Sequence, residues 1–123
     1  MAEHNDMGEW GEQIARQYLE KNDYGILETN YRHGKDEADI IAYDDGMIVF
    51  VEVKTRSNTE FGNPEDFVDR NKQRAYIRLA NYYLIENNRP EEARFDIIAI
   101  SKDDEGTHIS HLRDAFNAVG QHR

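Results

Sequence analysis

The sequence predicts an α/β domain: a central mixed sheet with a β-hairpin bearing the site, flanked by two main helices. Three observations carry this. Residues 47–51, Met-Ile-Val-Phe-Val, are continuously apolar, as in a strand buried on both faces. Asp45-Gly46 separates that run from a second apolar segment, the strongest short-range hairpin signal. Two longer segments repeat apolar residues at helical spacing: Trp10, Ile14 and Tyr18 beside Ala15 and Leu19, then Ala75, Leu79 and Tyr83 beside Ile77, Ala80 and Leu84.

Taken in order, residues 8–21 form the first helix, with Glu9, Gln13 and Arg16 on its polar side. Gly8 and Gly11 would let its backbone approach the sheet. Glu12 lies in the stripe of Ala15 and Leu19, at the edge of the buried face, where a first-turn carboxylate also complements the helix dipole. Asn22-Asp23-Tyr24-Gly25 ends the helix. Residues 26–32 form a strand, and 33–36 a turn in which His33 reads as an exposed loop residue. Residues 37–43 and 47–55 are the two arms of the hairpin. Residues 57–64 form a polar loop leaving the site end of the central strand, and 64–68 a short helical stretch.

Asp69 is a good N-cap for the second main helix, residues 70–87. Residues 94–101 and 107–112 are strands joined by a turn at Asp104-Glu105-Gly106, and 114–119 a terminal helical turn. His108 and His111 stand three apart on a strand, so they point to opposite faces and form no simple ligand pair.

The central strand is unusual in its second half, where Glu52 and Lys54 interrupt the apolar run. Strand periodicity puts Phe50, Glu52 and Lys54 on one face. Buried charges are costly unless paired or bound. An ion pair between Glu52 and Lys54 along the strand is one solution. The hairpin offers another: with Asp45 and Gly46 as the loop, Ile41 faces Phe50, Asp39 faces Glu52 and Glu37 faces Lys54. Two carboxylates then stand side by side, a repulsive arrangement that a divalent cation converts into a binding site. Hard oxygen ligands suit magnesium or manganese.

Composition sets the limits. The 123 residues suffice for one domain with a real core, expected from about residue 8 to 118. The absence of cysteine excludes disulfides and thiolate metal sites. No signal-peptide pattern or membrane-length apolar run is present, so a cytoplasmic protein without membrane association is expected. The net charge of −10 opposes nonspecific nucleic-acid binding. Its distribution is uneven, however. Arg70, Lys72, Arg74 and Arg78 cluster after the central strand, and Arg32, Lys35 and Arg56 lie near the hairpin ends. A solvated acidic surface with no partner is the competing reading.

The pattern Asp39 … Glu52-Val53-Lys54 resembles that of the PD-(D/E)XK nuclease superfamily. More closely, the chain resembles the small bacterial YraN-like family, itself similar to archaeal Holliday-junction resolvases. The matching stretches run in order through nearly the whole chain. They are Gly11-Glu12 with Ala15 and Leu19, Asn30-Tyr31-Arg32, Glu37-Ala38-Asp39-Ile40-Ile41-Ala42 and Phe50-Val51-Glu52-Val53-Lys54-Thr55-Arg56. Lys72-Gln73, Arg94-Phe95-Asp96-Ile97-Ile98 and His111-Leu112-Arg113-Asp114-Ala115-Phe116 complete them. Ala38 stands where the superfamily motif has proline, a position that carries no ligand.

This resemblance implies a restriction-endonuclease-like core and a metal-dependent DNA endonuclease, with branched or junction DNA as substrate and a homodimer acting on two strands. It implies a metal held by Asp39, Glu52 and the Val53 carbonyl, completed by Glu12. Lys54 would orient the attacking water or stabilise phosphoryl charge, and Gln73 would contact water or phosphate. Arg56, Arg70, Lys72, Arg74 and Arg78 are the candidate nucleic-acid contacts, and Glu37 a structural partner of Lys54. Two alternatives stay open: a catalytically weak nucleic-acid-binding or protein-interaction module retaining the core, and a metal-dependent phosphatase or RNase.

Overall fold

The computed structural model describes residues 2–56 and 68–117, with side chains from residue 6 onward. The elements are α1 (Ala2–Lys21), β1 (Gly25–His33), β2 (Asp36–Asp44), β3 (Met47–Arg56), α2 (Arg70–Glu86), β4 (Glu92–Asp103) and β5 (Gly106–Phe116). They build a mixed α/β fold: one five-stranded sheet in the order β1-β2-β3-β4-β5, with only β3 and β4 parallel. The expected loop over residues 57–64 and most of the helical stretch over 64–68 lie outside the described residues; Val68 is buried.

Strand β3 sits in the middle of the sheet and is covered on both faces, which accounts for its unbroken apolar run. One face, with Ile48 and Phe50, packs with Tyr76, Leu79, Ala80 and Tyr83 of α2. The other, with Val49, Val51 and Val53, packs with Ala15 and Leu19 of α1. Asp69 caps α2 as expected, its carboxylate accepting from Lys72 N at 2.9 Å. The hairpin turn has φ of 53° at Asp45 and 80° at Gly46, the left-handed pair that a tight two-residue hairpin loop demands. The ladder it sets includes Ile41 opposite Phe50, the expected register.

Three expectations are corrected. Helix α1 begins at Ala2 rather than residue 8, since no breaker precedes Gly8 and that glycine faces open space, with nothing within 4 Å of where a β-carbon would stand. Only Gly11 makes the close approach: a β-carbon there would lie 1.8 Å from Thr55 Cγ2. Second, residues 114–116 are strand, not helix; 118 and 119 lie outside the described residues. A register shift between Phe95 and Ile97 lets β5 bend at Asp114, where φ is 55°, and rejoin the sheet with Phe116 opposite Phe95, their rings stacked at 4.9 Å.

The bend is anchored by Asp96, which is fully buried and accepts from Asp114 N at 3.0 Å. Arg94 grips the same carboxylate at 3.0 and 2.9 Å and reaches Asp44 and Tyr24, while His111 Nε2 lies 2.8 Å from Asp96. Burial alone would raise the Asp96 pKa, but the bonds from His111, Arg94 and the Asp114 amide outweigh it and hold it low.

Third, β2 does not alternate evenly. Ala38 and Ile41 belong to the same buried cluster although three positions apart, and Asp36 is held by Arg78 of α2. The parity change falls at Asp39 and Ile40. Glu37 therefore turns away from Lys54, and its carboxylate lies 3.7 Å from Arg32 instead.

Candidate active site at the open end of the hairpin

The β2–β3 ladder closes the hairpin from Asp44↔Met47 to Ile40↔Val51 and stops there. At the next position Asp39 substitutes its side chain for the missing main-chain acceptor: its Oδ2 accepts from Val53 N at 2.8 Å. Asp39 and Glu52 thus flank the point where the strands part. Glu52 is only 5% exposed. Its Oε1 accepts from the Tyr76 hydroxyl at 2.6 Å, and its Oε2 lies 3.4 Å from Lys72 Nζ.

Electrostatics follow from this crowding. Burial, then the Glu52 charge, push the Asp39 pKa up to about 8; the Val53 N–H opposes this, and Glu12 and Glu37 add to the rise. Burial and the neighbouring charge thus favour the protonated form of Asp39 when no cation is present. Burial, then the Glu52 and Asp39 carboxylates, raise the Tyr76 phenol well above its usual range, so it remains a donor.

Glu12, on α1, opens with Asp39 onto a cleft of about 320 Å³ whose wall also includes Asn30 and Arg16. Its Oε1 accepts from Asn30 Nδ2 at 2.9 Å, and Asn30 takes a left-handed φ of 51° directly before Tyr31 pairs with Ala38. Lys54 lies two residues beyond Glu52 on β3, half-buried, and makes no ion pair among the described residues. The structure thus brings Asp39, Glu52 and Val53 together, with Glu12 on the cleft that Asp39 lines and Lys54 next along the strand.

The remaining candidates fall elsewhere. The Gln73 amide donates to the Val68 carbonyl at 3.2 Å, fastening the lead into α2. Arg70 and Arg74 are exposed on the first turns of α2, Arg74 bonded to Asn71. Arg78 makes a two-pronged pair with Asp36 at 2.9 and 3.1 Å, and Arg56 is half-buried at the end of β3. Lys72, expected from sequence to contact nucleic acid, meets Glu52. Sequence reasoning missed Tyr76 and Asn30. Tyr76 stands three before Leu79 and seven before Tyr83, a spacing that reads as plain core; only its hydroxyl hinted at a buried polar partner. Asn30 carried a signal in its tolerance of left-handed backbone.

The comparison with known proteins adds a family. Residues 11–100 match the model described as "Uncharacterised protein family UPF0102". A UPF0102 protein of Christiangramia forsetii is 49% identical over 116 residues, covering 94% of this chain and 98% of the relative. One of Flavobacterium psychrophilum is 47% identical over 116 residues with the same coverage. One of Clostridium beijerinckii is 40% identical over 114 residues, 90% of this chain and 93% of the relative. Matched from the first helix to beyond the site, and nearly end to end by these relatives, the chain belongs to the UPF0102 family, the YraN-like family its ordered motifs resemble.

Proposed function

We propose that the protein is a magnesium- or manganese-dependent DNA endonuclease with a restriction-endonuclease-like core, hydrolysing phosphodiester bonds in branched or junction DNA. The observation that carries this is Asp39 bonded to Val53 N beside the buried Glu52, where the hairpin strands part. Two neighbouring carboxylates, where burial and mutual repulsion resist a double negative charge, form a site that favours a cation. Among the described residues no three acidic, histidine or cysteine side chains form a cage. Magnesium needs none: it is commonly held by one or two carboxylates, keeping waters and substrate phosphate for its other positions.

Asp39, Glu52 and the Val53 carbonyl would hold the ion, with Glu12 across the same cleft. When bound, a divalent cation polarises the scissile phosphate and lowers the pKa of an attacking water. Tyr76 fixes the orientation of Glu52 through its hydroxyl. Lys54 donates to the water or to the phosphoryl oxygens as charge builds there. Gln73 would need to leave Val68 to take part. The homodimer acting on two strands rests on the resemblance alone.

A second reading has its own support. The ammonium of Lys72 already lies beside Glu52, and the net charge is −10; both suit a nucleic-acid-binding or interaction module with little catalysis. Cleavage of branched, duplex and single-stranded DNA with magnesium or manganese separates the two. Lys54→Ala and Glu52→Gln should each lower cleavage about 10²–10³-fold with the fold intact by circular dichroism. Wild-type rates in either folded variant would sink the nuclease assignment, and binding without cutting by the wild type favours the module.

A further inference from the structure

A second concavity is lined in part by Lys72. It runs between α2 and the β1–β2 turn, encloses about 590 Å³, and is lined by Lys35, Lys72, Arg74 and Arg78 together with Asp36 and Asp69. Both carboxylates are committed within the fold, Asp36 to Arg78 and Asp69 to the Lys72 amide. Arg78 is taken up by Asp36 and Lys72 approaches Glu52, but the four cations outnumber the two carboxylates, so the lining is net positive in a chain of net charge −10. Its direction is set by α2. Arg74, Arg78 and Tyr82 stand at four-residue spacing on one face of α2, and Lys72, two residues before Arg74, lines the same groove at the end near Glu52. There the imidazole of His33 lies flat on the Tyr82 ring, centroids 3.5 Å apart and planes 16° apart, with His33 exposed.

The groove supplies what a single nucleic-acid strand needs: cations along a track and an aromatic face at its end. We propose that this cleft carries one DNA strand away from Glu52, and that His33 and Tyr82 form a base-stacking station at its far end. From Lys72 to Tyr82 is roughly 15 Å of helix at ~1.5 Å per residue, or about four nucleotides at the ~3.4 Å rise of a stacked strand. A base can lie on the outer face of His33 only if it is free of its complement. The preferred substrate therefore has unpaired bases about four nucleotides from the bond at the acidic pair: a single-stranded tail, a flap or an opened junction arm. This rests on the proposed nucleic-acid function, and a binding measurement without divalent cation keeps the two apart.

Fluorescence anisotropy in EDTA, with the full chain and matched single-stranded, tailed and blunt duplex DNA, provides the test. The wild type should prefer single-stranded and tailed DNA. His33→Ala and Tyr82→Leu should each weaken that binding by about fivefold to a hundredfold, the range for loss of one stacked base, and leave blunt duplex unaffected. Tyr82→Phe, which keeps the ring, should retain the preference. Arg74→Gln should weaken all three substrates alike. A 2-aminopurine placed along the single strand should be quenched at one position in wild type and not in Tyr82→Leu. Equal losses on single strand and duplex, no loss in either variant, or no binding by the wild type overturns the strand path. A wild type that shows the preference but never cuts with magnesium supports the path while overturning the nuclease reading.

Discussion

One hydroxyl of α2 bridges both strands where the hairpin opens: Tyr76 donates to Glu52 Oε1 at 2.6 Å and accepts from Asp39 N at 3.4 Å. Tyr76→Phe keeps the ring volume and removes both bonds. Glu52 then keeps only the ammonium of Lys72 and the part-buried Asp39 amide loses its acceptor, so unfolding free energy should fall by about 1–3 kcal/mol. Magnesium affinity should fall with it, because Glu52 is no longer held in place. Urea melts and metal titration read the two effects. A variant that is less stable but binds magnesium as wild type does would confine Tyr76 to packing.

The acidic pair predicts an unusual pH profile. The Asp39 pKa is about 8 in the fold and about 3.9 in an unfolded chain. A group raised on folding contributes stability that is complete below its unfolded value and lost as pH rises through its folded value. Metal-free protein should therefore lose stability from about pH 4 to about pH 8. Asp39→Asn should flatten that part of the profile and melt higher than wild type at pH 8. Magnesium should stabilise the wild type by about 2.7 kcal/mol at a hundredfold excess over its dissociation constant, and the Asn variant hardly at all. Thermal melts across pH, with EDTA and with magnesium, check each sign; an Asn variant less stable than wild type at every pH would remove the acidic-pair explanation.

Lys72 should oppose the metal and assist the nucleic acid. Its ammonium is 3.4 Å from Glu52 Oε2, with the side chain 44% exposed. Lys72→Met removes a competing cation, so magnesium should bind more tightly, by up to about fivefold for so exposed a pair. The same substitution should weaken duplex binding and lower its salt dependence by close to one unit of slope if Lys72 neutralises one phosphate. Calorimetry and a salt titration give opposite signs if both roles hold, and weaker binding of both would leave Lys72 as a brace for Glu52.

The buried network around Asp96 on β4 should be the costliest to break. Asp96→Ala leaves Arg94 without its two-pronged partner and β5 without the anchor at Asp114. A loss of about 3–5 kcal/mol is expected, read by chemical denaturation. A loss below about 1 kcal/mol, the size of an ordinary exposed ion pair, would mean that the bend of β5 holds without it.

What the sequence revealed and concealed divides along the periodicity of the backbone. Two-residue alternation, the Asp45-Gly46 turn and the Asp69 cap act locally, so the hairpin register and the start of α2 could be read directly. The register predicts Asp39 opposite Glu52, but the ladder ends at Ile40↔Val51 and Asp39 reaches β3 through its side chain instead. The partner of Glu37 could not be read, because the change of parity in β2 arises where a side chain, not the main chain, bonds Val53. Residues 114–116 read as helix in isolation because their strand character depends on Asp96, eighteen positions away from Asp114 and on another strand. The hydroxyl of Tyr76 was invisible for a related reason: a tyrosine in a core stripe declares its ring, while its oxygen finds a target only once β3 is in place.

Gly11 sets a dimension of the site without touching it. Its bare α-carbon lets α1 rest directly on Thr55, and Glu12 is the next residue in the chain. A single methyl group at position 11 would act as a shim, lifting this part of the helix from β3 and carrying Glu12 away from Asn30 and the cleft it shares with Asp39. The bore of the site is thus gauged by an absent side chain. For the proposed cation, the choice between magnesium and a larger ion would then be adjustable at a residue that bears neither charge nor ligand atom in its side chain.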